Sequence, residues 1–266
     1  MLEVMLAIEV LIMVGLPVGL WFLLRRREGV TWGLIMAGVV SFAASQVARV
    51  PIDLGFQWLV QGSGVWPFEP ESVAWTVSTA VYVGLAAGLC EEIARYVVLK
   101  YWRKGERTWT QGVAFGAGHG GIEAIVLGLI VLVNFVVMLR LRGGDLSELG
   151  LAADQLASAQ EQLAAFWSMA PHIPLLGALE RVFALTLQIA FTLLVVRGLV
   201  TRNVGWVVLA VLGHALVDSV AVLTLAAGWS PLAVEGLILL FAVVAGMGIW
   251  WFWRDSRETV AGSVVE

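Results

Sequence analysis

The sequence predicts an all-α polytopic membrane protein, a bundle of about seven transmembrane helices, on three observations. Hydrophobic residues make up 60% of the 266-residue chain and charged ones 14%. Soluble domains carry about a quarter charged residues, so one soluble core of this size cannot hide the apolar excess. The apolar residues gather into seven runs of about the length that crosses a bilayer. Eleven of the thirteen tryptophans, from Trp21 and Trp32 to Trp250, Trp251 and Trp253, fall near the ends of those runs, where the membrane interface favours them. Trp66 and Trp167 fall in connecting loops. The whole of 1–266 reads as a single integral membrane domain.

The first run, 2–24, is span-length and stops at Arg25-Arg26-Arg27, so it reads as an anchor and not as a cleavable signal. The second, 31–49, is interrupted by Gln46, Arg49, Pro51 and Asp53 and resumes through Trp58, which predicts a helix kinked near Pro51. The remaining spans are 74–101, 110–139, 172–196, 204–226 and 232–253. Residues 61–72, with Gly62, Gly64, Pro67 and Pro70, predict a structured loop. Residues 143–171 are polar and rich in Ala and Gln, and read as a solvated connector, with a surface helix or lid as the alternative. Arg25 to Arg27, the Lys100–Arg107 cluster, Arg197 with Arg202, and Arg254 with Arg257 occupy alternate loops. That bias places the C-terminus in the cytoplasm and the N-terminus outside. Arg140 and Arg142 oppose it, with Asp145, Glu148, Asp154 and Glu161 close behind. The lone cysteine, Cys90, excludes an internal disulfide or a multi-cysteine metal knuckle and reads as a packing residue.

Ionisable side chains are rare at membrane depth and mark functional interiors. Here Glu91-Glu92-Ile93-Ala94-Arg95 lies in the third span, and Gly-His-x-x-x-acid recurs as His119/Glu123 in the fourth and His214/Asp218 in the sixth. At about 1.5 Å per residue, Glu91, His119 and His214 all lie roughly 14–15 Å below the cytoplasmic face. His119 and Glu123, His214 and Asp218, and Glu91 and Arg95 each share a helix face, whereas Glu91 and Glu92 diverge by about 100°. One glutamate is therefore expected to face a cavity while the other pairs with an arginine. Glycines around His119 and Gly213 allow close helix approach. Glu180-Arg181 lies further outward and reads as a structural ion pair. Arg49 and Asp53 read as another, His172 as loop structure, and Glu9 and Glu235 as packing or interface residues.

These motifs resemble the YhfC family of predicted intramembrane proteases, related in motif to CAAX prenyl endopeptidases and bacteriocin-processing membrane proteases. The wider group carries Glu-Glu-x-x-x-Arg, Phe-x-x-x-His and His-x-x-x-Asn/Asp on successive core helices. Phe115 to His119 fits the second motif and His214 to Asp218 the third. Arg95 comes one residue early. The resulting Glu-Glu-x-x-Arg-Tyr, the Gly-His-Gly-Gly-x-Glu-Ala stretch at 118–124 and the Glu180-Arg181 pair all look like the YhfC branch. The resemblance covers roughly residues 40–225. It implies that Glu91 is a general base that activates water with His119, that His214 and Asp218 stabilise the oxyanion or orient the carbonyl, and that Arg95 holds Glu92.

The expected activity is thus an intramembrane endopeptidase using a glutamate-activated water in a cavity open to the cytoplasm, with no cofactor. The alternative is a zinc enzyme using His119, Glu123, His214 and Asp218, with Glu91 as a further donor. A proton-coupled transporter or membrane scaffold is the reading from another class. Expected partners are the lipid bilayer and a peptide or membrane-protein substrate, with no nucleic acid.

Overall fold

The computed structural model describes residues 1–62, 67–69, 72–144, 150 and 152–262; Gly64, Trp66, Pro70, Asp145 and Glu148 lie outside them. Among the described residues the chain is all-helical, in the order α1 (Leu2–Arg27), α2 (Trp32–Gln57), α3 (Val73–Val97), α4 (Trp109–Leu141), α5 (Ala153–Ser168), α6 (Ile173–Thr201), α7 (Gly205–Ala226) and α8 (Pro231–Gly262). All but α5 are long and apolar enough to cross a membrane, which matches the seven expected spans.

Short polar residues start three of the spans. Thr31, Ser72 and Thr108 accept hydrogen bonds from the backbone N–H of Leu34, Trp75 and Gln111, which satisfies donors that a helix start leaves free. Helix α2 runs on through Pro51 and closes in a π-helical turn, Trp58–Gly62. A second π-helical turn, Val98–Trp102, ends α3, where the Arg103 N–H donates to the Val98 carbonyl at 2.9 Å. The surface-helix alternative for 143–171 is what forms: α5 is a helix with no buried residue, and Trp167 lies on it and not in a loop.

The ends of the spans sort by charge. At the Lys/Arg-rich end the Trp109 indole donates to the Ile249 carbonyl at 3.1 Å, and Arg197 pairs with Asp255, joining α4 and α6 to α8. At the other end Arg142, which opposed the charge bias, pairs with Glu3 at 2.5 Å and stacks over Trp167.

Lipid tails are as apolar as leucine, so helices in a bilayer associate through close packing of small residues. The most extensive pairings are α3 with α7, α2 with α4, α4 with α1 and α6, and α6 with α8. All but the α6–α8 pairing rest on glycines. A Cβ at Gly88 of α3 would sit 2.6 Å from the Val211 carbonyl oxygen of α7. Gly38 of α2 and Gly118 of α4 lie on each other's backbones, over Phe115 O and Ile35 O. A Cβ at Gly120 would lie 2.6 Å from Cβ of Gln188 on α6. These contacts fix the rotation of every helix that carries a candidate residue.

Candidate active site

Glu91 and Glu92 leave α3 on different faces, as their angular separation requires. Arg95, fully buried one turn on, meets both: Nη1 donates to Glu92 Oε1 at 2.5 Å and Nη2 to Glu91 Oε2 at 3.3 Å, and Nη2 also donates to Gln188 Oε1. The close α3–α7 approach brings His214 to Glu92, with Nδ1 2.8 Å from Glu92 Oε1. The α2–α4 approach brings Ser41 to His119, with Oγ 2.7 Å from Nδ1. His119 Nε2 lies 3.0 Å from Glu91 Oε2, and His214 Nε2 lies 4.0 Å from the same oxygen and 3.7 Å from Asp218 Oδ2. The His214 ring stacks on Phe191, and Phe42 meets the His119 ring edge-on. Both imidazoles are thus fixed on one nitrogen and offer the other to Glu91.

The partners constrain the protons. An ionised carboxylate only accepts, so with Glu92 held by Arg95 the proton of His214 is on Nδ1, leaving a lone pair on Nε2. Ser41 has one hydroxyl proton and two acceptors in reach, Gly38 O at 2.8 Å and His119 Nδ1. If that proton goes to Gly38, His119 Nε2 is bare and faces a carboxylate oxygen, and a proton or a cation must sit between them. If it goes to His119, Nε2–H donates to Glu91. Either way, Glu91 and His119 hold one exchangeable position in common.

A cavity of about 430 Å³ reaches this cluster, lined by Glu91, Glu123, Gln188, His214 and Asp218. Its lining extends away from the Lys/Arg-rich end, where the charge bias of the loops led the opening to be expected. Glu91 lies eleven residues from the Lys/Arg-rich end of its span, Trp102, and His214 nine from Gly205. From there the lining runs the other way, to Glu180 and Ile238, each seven residues (about 10 Å) from the opposite end of its helix. The route toward the Lys/Arg-rich end is filled. Arg95, Leu99, Phe115, Thr192 and Val195 lie between the cluster and the Lys/Arg-rich end and are almost wholly buried.

The remaining predicted residues spread outward along the cavity. Glu123 accepts from Gln188 Nε2 at 2.6 Å and from Arg181 Nη1 at 3.0 Å, and Arg181 also pairs with Glu180. The Glu180-Arg181 pair therefore belongs to a wider network that touches the cavity wall. Arg49 pairs with Asp53 at 3.2 Å, and Tyr82 donates to Asp53 at 2.7 Å. Cys90 is buried and free. Two participants were not singled out from the sequence. Gln188 links Glu91 (3.2 Å) to Glu123 and was visible as a lone amide in an apolar run. Ser41 gave no signal beyond being small and polar within a span.

A divalent cation can be tested on this donor set. His119 Nε2, His214 Nε2 and a Glu91 oxygen make the His₂-carboxylate set of catalytic zinc sites. The Nδ1 contacts to Ser41 and Glu92 are the outer support that metal-ligating histidines use. A fully buried Glu92 oxygen, Oε2, has no partner among the described residues. By donor type and outer support the residues fit, with Glu91 in the place that the sequence reading gave to Glu123. The match is one of donor type and not of placement: no three His, Cys, Asp or Glu side chains among the described residues stand at metal-holding spacing.

The family model for YhfC intramembrane metalloprotease matches residues 12–239. The chain is 29% identical over 251 residues to the uncharacterized membrane protein YhfC of Bacillus subtilis (strain 168), covering 91% of this chain and 92% of that one. No solved structure matches it. With the motifs on helices of one bundle and the match running through most of them, the chain belongs to the YhfC family of intramembrane metalloproteases.

Proposed function

We propose that the chain hydrolyses peptide bonds within the bilayer by water attack at Glu91, His119 and His214. The observation that supports it most is the facing of two imidazole Nε2 atoms toward one Glu91 oxygen, with Glu91 and His214 lining a cavity and His119 buried behind them. Water in that cavity gives a proton to the Glu91–His119 pair as its oxygen attacks the scissile carbonyl. The oxyanion forms on the side of His214, which in this reading carries a second proton, on Nε2, and is the available donor, with Asp218 beside it. The C–N bond then breaks as the Glu91–His119 pair returns the proton to the leaving nitrogen. Glu92 and Arg95 touch no substrate; they hold His214 and Glu91 in position. The charge bias of the loops supports a cytoplasmic C-terminus, which puts the cavity mouth toward the outer leaflet.

A second reading uses the same side chains and is favoured by the outer support of both imidazoles and by the family's description. Held by His119, His214 and Glu91, a divalent cation would supply Lewis acidity to the water and the carbonyl. In that reading Asp218, the cavity-facing carboxylate beside His214, accepts the proton.

Purified protein in liposomes, given a panel of membrane-embedded peptides, tests the proposal. Glu91→Gln should cut turnover by about 10²–10⁴-fold, the scale of a lost acid–base group. A folded variant that cleaves at the wild-type rate overturns it. Elemental analysis separates the readings: one zinc per chain, with chelator inhibition reversed by Zn²⁺, selects the cation, and full activity in metal-free protein selects the direct route.

A further inference from the structure

Beyond the cluster, a second cavity of about 410 Å³ opens among the outer ends of α1, α4, α6, α7 and α8, with Phe166 and Met169 at the C-terminal end of α5 in its wall. Its walls are mainly apolar, Leu6, Phe166, Leu225 and Val234 among them, yet three carboxylates line it: Glu9, Glu180 and Glu235. Glu180 is already paired with Arg181. Glu9 is not paired: only 7% of it is exposed, and no hydrogen bond or ion pair reaches it among the described residues. Glu235 Oε2 is fully buried and equally without a partner. A Cβ at Gly177 would run into Glu9 Oε1, so the backbone of α6 leaves room for this carboxylate. A buried, unpartnered carboxylate is costly unless it takes up a proton or something cationic arrives.

Resting on the proposed peptidase activity, we propose that this cavity is a specificity subsite for a basic side chain, lysine or arginine, of the peptide substrate. A long apolar stem with a cationic tip matches apolar walls with two free carboxylates. An inorganic ion matches less well, since no three of the acidic side chains stand at metal-holding spacing. Glu180, Ala221 and Ile238 line both cavities, so one chain can occupy the two together. Glu180 lies eight residues from Gln188 along α6, about 12 Å. An extended peptide covers that distance in three to four residues at about 3.3 Å each. The basic residue therefore falls three to four positions from the scissile bond, toward the outer leaflet.

Two measurements on the full chain in detergent test this. The first is binding of n-hexylguanidinium, with n-hexanol and Ca²⁺ as controls, to the wild type, to Glu9→Gln/Glu235→Gln and to Glu91→Gln. Hexylguanidinium should bind the wild type and Glu91→Gln alike and bind the double variant about tenfold or more weakly, the scale of one lost charged hydrogen bond. Equal binding to wild type and double variant, equal binding of hexanol, or binding of Ca²⁺ in place of hexylguanidinium overturns the subsite. The second is cleavage of transmembrane peptides with arginine moved one position at a time. A preference at the third or fourth position, abolished in the double variant, supports it; a flat profile overturns it. If no peptide is cleaved at all, the peptidase reading fails while the binding measurement still decides whether the cavity takes an organic cation.

Discussion

Replacing Gly88 with alanine should damage the site without touching any group in it. The added Cβ would lie 2.6 Å from the Val211 carbonyl oxygen and 3.1 Å from the Ala215 nitrogen, both backbone atoms of α7 that cannot turn aside. Reaching ordinary contact near 3.4 Å requires about 0.8 Å of separation between α3 and α7 at that level. Glu92 is one turn further along α3, and its 2.8 Å bond to His214 joins the same two helices. If the separation carries through, that bond opens to roughly 3.6 Å, beyond hydrogen-bonding range. Overpacking of this kind costs about 1–3 kcal/mol. Loss of outer support for an active-site histidine costs about 10–100-fold in activity. Gly88→Ala should therefore unfold several degrees lower in detergent and cleave at least about tenfold more slowly. Gly19→Ala is the control, since it lies inside α1 with nothing within 4 Å of the new Cβ, and it should match the wild type. Both assays within error of wild type for Gly88→Ala would refute the claim that glycine contacts set the Glu92–His214 geometry.

Two further outcomes follow from the buried charges and the cavity direction. Arg95→Met leaves Glu92 buried beside His214 without its guanidinium and should destabilise the fold by about 3–5 kcal/mol, with Arg95→Lys intermediate; thermal unfolding of each reads this, and a neutral Met variant would contradict it. With Cys90 replaced by alanine, a cysteine at Ala221 on the cavity wall should react from the end opposite the Arg-rich loops with a membrane-impermeant thiol reagent, while one at Leu99 stays protected. Labelling of Leu99→Cys from the Arg-rich side would restore the cytoplasmic opening.

The spans were legible because burial in lipid demands about twenty apolar residues at a time, and few other structures do. The layer shared by Glu91, His119 and His214 was legible because helix rise converts sequence position into depth. Helix rotation was not, because it is set by contacts such as Gly88 on Val211 and Gly118 on Ile35, between residues far apart in sequence. Gln188 was therefore overlooked although it bridges Glu91 and Glu123, and Ser41 had no signature at all. The direction of the cavity is hidden from the sequence for a related reason. Depth alone put the cluster nearer the Arg-rich face, but whether the path there is open depends on Phe115, Leu99 and Val195, whose packing no local pattern reveals. Glu9 and Glu235 looked like interface residues because each is near a span end; only the packed bundle turns them toward a common space.

The central claim is that Glu91 and His119 act together on one water. Cleavage rates of Glu91→Gln, His119→Ala and the variant carrying both changes test it most directly, with unfolding temperatures confirming that each is folded. Groups acting as one unit lose activity once, so the doubly changed protein should be no more than a few-fold slower than the worse single change. Losses that multiply, or wild-type cleavage by folded Glu91→Gln, would contradict the account.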